Sequence, residues 1–190
     1  MKKLVLATML ATVFGIAQAE GIYASVTYDK KEKVNSTQVN NVYGLNVGQK
    51  FADGLSVEAR MEDERVETYP GQKQEGLYQI KASKDLSKLG MVTPYAAVAV
   101  GVKNKSTIDF PFWLAEAGAK VKLNDTVSVR YGYRLRTAFD NDTTNAYSTH
   151  ENTLALGVSL SKQDTVTLAT KKERGTSNYN TTGLYYTRSF

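Results

Sequence analysis

The chain contains no cysteine among its 190 residues. Disulfides and thiolate metal sites are therefore excluded, and the fold must be held by hydrogen bonding and packing. Proline is scarce, with three residues, and histidine occurs once, as His150. Little material is left for imidazole-based catalysis or metal ligation. No stretch beyond the first residues reaches the roughly 18 consecutive apolar residues of a transmembrane helix. None shows a sustained 3.6-residue apolar period either. Neither charge sign dominates: 24 Lys+Arg stand against 19 Asp+Glu, a net +5. That excess is too small to argue for nucleic acid, and no such partner is expected. A phosphate-binding glycine loop and metal-ligand spacing are both missing, so no cofactor and no metal site is expected.

What is present begins at the two ends. Lys2 and Lys3 precede the apolar run Leu4 to Ile16, and Ala17-Gln18-Ala19 follows with the small-x-small pattern of a cleavage site. This reads as a secretory signal peptide over 1–19, leaving one domain over 20–190. Its removal leaves 22 basic against 19 acidic residues, or +3. At the other end stands Leu184-Tyr185-Tyr186-Thr187-Arg188-Ser189-Phe190. An exported chain ending in an alternating strand with a terminal Phe resembles a Gram-negative outer-membrane β-barrel. The resemblance implies an outer-membrane location, lipid and lipopolysaccharide as surroundings, and delivery to the barrel assembly machinery through the last strand and Phe190.

Between the ends, apolar residues alternate with polar ones. Val127, Val129, Tyr131, Tyr133 and Leu135 share one face, opposite Ser128, Arg130, Gly132, Arg134 and Arg136. Leu154, Leu156, Val158 and Leu160 oppose Thr153, Ala155, Gly157 and Ser159 in the same way. A period of two means strands. A soluble sandwich would turn the apolar set toward a core; a membrane barrel turns it toward lipid and the polar set toward the lumen. With the two ends, the expectation is an all-β, transmembrane, antiparallel up-and-down barrel of about ten strands, with eight or twelve as the alternatives. The strands are expected over 20–30, 38–51, 55–66, 75–86, 91–103, 110–123, 127–138, 150–160, 166–174 and 179–190. Three-residue connections, Ala52-Asp53-Gly54, Asn124-Asp125-Thr126 and Lys162-Gln163-Asp164, keep the apolar faces matched across their hairpins. They belong to the periplasmic side. Longer polar connections, Lys31–Thr37, Glu67–Lys73, Asn104–Asp109, Asp140–Thr149 and Gly175–Asn178, belong to the other.

The lumen set carries the chemistry. Arg60, Lys120, Arg130, Arg134, Arg136 and Lys171 are its principal cations, joined by Lys81 and Lys103. Glu58, Glu62 and Glu116 are its principal anions, joined by Glu173. Placing 123 opposite 127 sets Glu116 across from Arg134, Gly118 across from Gly132, and Lys120 across from Arg130. The last pair is unfavourable without a carboxylate or anion between them. Two readings stand. A barrel this narrow is filled by its own side chains, or the surplus positive charge lines a small pore favouring anions. The segments Val129-Arg130-Tyr131-Gly132-Tyr133-Arg134-Leu135-Arg136 and Phe51-Ala52-Asp53-Gly54-Leu55-Ser56-Val57-Glu58 resemble strands of the small monomeric oligogalacturonate-specific porins. That resemblance implies passive uptake of acidic solutes along Arg130, Arg134 and Arg136. The competing expectation is a non-conducting barrel acting through its extracellular loops.

Catalysis is not expected. Ser148 and His150 share a strand face, with Glu151 on the other, so no carboxylate orients the imidazole. Glu62-Asp63-Glu64 and Asp140-Asn141-Asp142 are acidic clusters of the kind that are usually solvated loops, with a divalent cation or a bridge to lipid headgroups as the alternatives. Tyr28, Tyr78, Tyr131, Tyr133, Tyr186, Trp113, Phe51 and Phe190 are assigned to aromatic girdles.

Overall fold

The computed structural model describes residues 19–67, 74–104, 109–140 and 147–190. The expected signal segment up to residue 18, and the expected loop stretches 68–73, 105–108 and 141–146, lie outside them. Ten strands follow one another: β1 (Ala19–Lys33), β2 (Val39–Phe51), β3 (Leu55–Val66), β4 (Gln74–Asp85), β5 (Val92–Asn104), β6 (Asp109–Lys122), β7 (Val127–Ala138), β8 (Ser148–Ser159), β9 (Asp164–Gly175) and β10 (Tyr179–Ser189). Each pairs antiparallel with its sequence neighbour, and β1 pairs with β10, so the sheet closes on itself. Closure leaves no edge and gives each ladder amide a partner, which hydrocarbon requires because it offers none. The strands run from 11 to 15 residues. About 9–11 suffice to cross the hydrocarbon at a tilt, so several project beyond it.

Turn chemistry sets the register. Gly54 takes φ 82°, its N–H donates to the Phe51 carbonyl at 3.0 Å, and Asp53 Oδ1 accepts from the Leu55 N–H at 3.0 Å. Lys84 Nζ reaches Asp53 Oδ2 at 2.7 Å, and with the Leu55 N–H holds that carboxyl below its ordinary range. This contribution is present above the ordinary carboxylate pKa and fades as pH falls through the lowered value. Asn124 Oδ1 accepts from the N–H groups of Thr126 and Val127 at 2.8 and 2.7 Å. The β8–β9 connection departs from the expected Lys162–Asp164. Asp164 already opens β9, and Ser161 Oγ accepts from the N–H groups of Gln163 and Asp164. Ser159 pairs with Thr165, so the span between them remains odd and the faces stay matched. β1 also runs past the expected residue 30, carrying Lys31 into the ladder opposite Asn40 and Thr181.

The alternation now has a direction. Leu168 (54 % exposed), Leu184 (53 %) and Leu154 (50 %) face outward, with Leu45, Val98, Val100 and Leu156. Leu156, Leu168 and Leu184 stand in one cross-strand row. An outer wall this apolar is stable against lipid and not against water. Tyr28, Tyr131, Tyr133, Tyr186, Trp113 and Phe190 also face outward. Arg188, an exception on this wall, meets Asp164 at 3.4 Å, where the Tyr186 hydroxyl also donates at 2.6 Å.

Because the Leu168 row sits near the middle of the apolar belt, Leu168→Arg is expected to destabilise the folded barrel by about 2–4 kcal/mol. Val127→Arg, at the turn end, should cost roughly 0–1 kcal/mol. Denaturant unfolding from phospholipid vesicles measures both. Equal costs at the two depths would contradict the membrane belt.

Candidate functional site: the charged lumen

Arg60, Glu58 and Glu62 on β3, Glu116 and Lys120 on β6, Arg130, Arg134 and Arg136 on β7, and Lys171 on β9 all sit on the inner face. They share the parity of the buried residues Glu64, Ala99, Leu114, Glu151 and Glu173. They divide into two groups along the barrel axis.

The half nearer the longer connections is filled. Glu173 is 3 % exposed and accepts from Arg136 at 3.0 Å and from Arg134 at 3.4 Å; Arg134 also reaches Glu151 at 2.9 Å. Arg136 donates to the Tyr147 hydroxyl and lies over the rings of Tyr147 and Phe112, at 5.1 and 5.6 Å from their centroids. Lys31 and Lys103 both reach Glu64 at 3.1 Å, Asn40 Nδ2 donates to it at 2.6 Å, and Lys103 also meets Glu75 at 2.9 Å. Lys171 meets Asp29 at 2.5 Å, and the Tyr185 hydroxyl donates to the same carboxylate at 2.7 Å. Arg60 pairs with Glu62. On one wall Leu77, Ala99, Phe112 and Leu114 form an apolar cluster inside the barrel. The cavity these groups border is about 40 Å³. That suits a few waters and no larger solute. Its border carries Nε of Arg60, Arg134 and Arg136 and Oε1 of Glu173, polar atoms without a protein partner.

The half nearer the tight turns is built around Tyr95. Its hydroxyl donates to Glu116 at 2.7 Å and accepts from Arg130 Nε at 2.9 Å. Glu116 also takes Lys81 at 2.6 Å and Arg130. Lys120 lies opposite Arg130 in the ladder, but the two are separated. The Tyr95 ring has Arg130 at 4.5 Å and Lys120 at 5.4 Å from its centroid, and Lys120 takes its own carboxylate, Asp85, at 2.6 Å. Gly118 and Gly132 face one another, and a Cβ on Gly118 would meet the Tyr95 ring at 2.7 Å. The room left by these glycines is taken by an aromatic ring rather than by a channel. Arg130 and Lys120, each 41 % exposed along the side chain, are the most open to water of the expected lumen cations.

Ladder position alone did not foretell the ion pairs. Glu116 stands opposite Arg134, yet it binds Lys81 and Arg130, while Arg134 crosses to β8 and β9. Long side chains in a narrow tube reach diagonal and transverse neighbours as easily as the facing one. The expected surplus of positive charge also changes. Asp29, Glu64, Glu75, Asp85 and Glu151, absent from the expected lumen set, face inward with it. Each of Lys31, Arg60, Lys81, Lys103, Lys120, Arg130, Arg134, Arg136 and Lys171 thereby meets a carboxylate. The signal was available: all five acids have inward parity.

His150 faces outward, its ring 6.3 Å from that of Tyr133, and Ser148 Oγ bonds Thr137 Oγ1 at 3.1 Å. In Glu62-Asp63-Glu64 the chain's alternation sends Glu62 and Glu64 inward, whereas Asp63 pairs with Arg65 outside at 2.9 Å. No metal-holding cluster forms among the described residues. Asn141 and Asp142 of the second acidic cluster lie outside them.

Since Glu173 is the shared acceptor of two buried arginines, Glu173→Gln should destabilise the barrel by about 3–5 kcal/mol. Replacing Arg136 and Glu173 together should cost less than the sum of the single changes. Guanidinium unfolding in detergent reads the cycle, and strict additivity would dissolve the proposed coupling.

No protein-family model and no curated protein matches the chain. Solved structures do. An outer membrane channel from Pseudomonas putida F1 superposes with a TM-score of 0.64 at 10% identity, over 93% of this chain and 97% of that one. The NanC porin gives 0.56 at 10% identity, over 87% and 98%. The translocator domain of the autotransporter NalP from Neisseria meningitidis gives 0.55 at 8% identity, over 100% and 95%. At these identities the likeness is one of fold: a closed antiparallel β-barrel shared with these outer-membrane proteins.

Proposed function

We propose that this protein is an outer-membrane barrel closed to solutes at rest, acting in the envelope through its walls and rims. The observation that carries this reading is the packed loop half of the lumen. There, interlocked arginines, lysines and carboxylates leave about 40 Å³ free. Such a network rigidifies the tube where its members share partners, as Lys31 and Lys103 share Glu64 and as Arg134 and Arg136 share Glu173. The apolar cluster around Phe112 and Leu114 seals one side of the same cross-section.

A second reading has its own support. The Pseudomonas putida neighbour is a channel, NanC is a porin, and Arg130 and Lys120 face water at the turn-end mouth. If the ion pairs rearrange, the path that opens runs past these cations and leans toward anionic solutes. The expected lumen set then acts as a gate: Arg134, Arg136, Arg60, Glu62 and Lys171 hold it shut, while Lys120, Arg130, Glu58 and Glu116 line the approach. Export by a signal peptide cleaved after Ala19, and assembly through the strand ending at Phe190, belong to the same proposal.

Planar-bilayer recording decides between these states. The refolded wild type should show no steady conductance. Arg134→Ser with Glu151→Ser, which removes one pair without changing net charge, should open a steady conductance that passes chloride in preference to potassium. A steadily open wild type would sink the closed-barrel reading. A cation preference in the opened variant would remove the anion-leaning one.

A further inference from the structure

The outward face of β8, β9 and β10 at the loop end carries two cations that meet no carboxylate among the described residues. Lys172 is exposed and has no ion-pair or hydrogen-bond partner among the described residues. Arg174 is anchored without a carboxylate: Nη1 donates to the carbonyls of Glu173 and Tyr179 at 2.7 and 3.0 Å, and Nη2 to Asn180 Oδ1 at 3.0 Å. Elsewhere on the outer wall the cations are neutralised, Arg65 by Asp63 and Lys30 by Glu32, each at 2.9 Å. Glu32, which faces Asn180 across the ladder, is therefore already taken.

Lys172 stands in the register between Asn152 and Asn180. Asn152 Oδ1 accepts from the Tyr131 hydroxyl at 2.6 Å, and Asn180 Oδ1 accepts from Arg174. The side-chain acceptors of the patch are thus occupied from within. What remains on offer are donors: the Lys172 ammonium, the two amide NH₂ groups and the outer edge of the Arg174 guanidinium. A site whose free groups are chiefly donors and carry positive charge fits a phosphate oxygen cluster. Directly below it on the same wall the Leu154, Leu168 and Leu184 side chains are exposed. The occupant therefore has a phosphate above and acyl chains beneath.

We propose that Lys172, Arg174, Asn152 and Asn180 form a binding site for the phosphate of a phosphorylated, acylated saccharolipid, the lipopolysaccharide of the outer leaflet. The proposal rests on the outer-membrane reading, which puts the longer connections outside and the tight turns in the periplasm. The site is one-sided, so the lipid is held on the β8–β10 wall and not around the whole barrel.

Native mass spectrometry of the detergent-folded barrel tests this with phosphorylated lipid A and a dephosphorylated lipid A of the same chains. The wild type should retain the phosphorylated lipid at least tenfold better. Lys172→Gln with Arg174→Gln should lose that preference, whereas Lys122→Gln, at the turn end, should keep it. If the double variant fails to fold, Lys172→Gln alone should still weaken retention severalfold, since that side chain bonds to none of the described residues. Inorganic phosphate at millimolar concentration should not displace the lipid; displacement would assign the patch to a free anion and overturn the proposal. Equal retention by wild type and the charge-neutral variant, or indifference to the phosphate group, would also overturn it. A wild type that failed to insert into vesicles would instead overturn the membrane reading.

Discussion

Hydrocarbon offers no hydrogen bond, and this single constraint orders everything else in the molecule. Each backbone amide in the belt must find a partner within the sheet, so the sheet must return to its own beginning. Once β1 has met β10, the chain has an inside and an outside, and every side chain falls on one or the other by parity alone. Leucine and tyrosine on the outside are then in their preferred solvent. Arginine, lysine and glutamate in the loop half of the inside are enclosed in a space too narrow for bulk water, and they must satisfy one another.

That second requirement explains the internal design. Isolated buried charges are costly, and pairs survive where additional hydrogen bonds complete them. Glu64 gathers Lys31, Lys103 and Asn40; Glu116 gathers Lys81, Arg130 and Tyr95; Asp29 gathers Lys171 and Tyr185. Tyrosines recur in this role because a ring fills volume while its hydroxyl serves the network. Facing glycines give the rings their room. A wall that would otherwise press two cations together, Lys120 and Arg130, instead holds an aromatic face between them.

The strands were legible because a period of two is a strong signal when it repeats through a whole chain, and the odd hairpins preserved it from turn to turn. The lumen cations were legible for the same reason. Their partners were less so. Asp29 lies within the expected first strand but was not drawn into the lumen set, and Glu64 belongs to an acidic cluster that looks like a solvated turn. Glu151 sits beside a histidine that drew the eye. Which acid meets which base depends on side-chain reach across a tube, and no linear pattern encodes that. The open-or-filled question was likewise beyond the sequence, since the same glycines suit an empty channel and an inserted ring.

The Asp29 cluster lies across the seam. Its aspartate belongs to the first strand, its lysine to the ninth and its tyrosine to the tenth. Until the ends of the sheet join, Asp29 lacks both partners, and Lys171 has the Tyr185 ring beside it but no aspartate. The last step of assembly is in this way coupled to electrostatic relief, so the salt bridge serves as a latch that rewards completion of the circle.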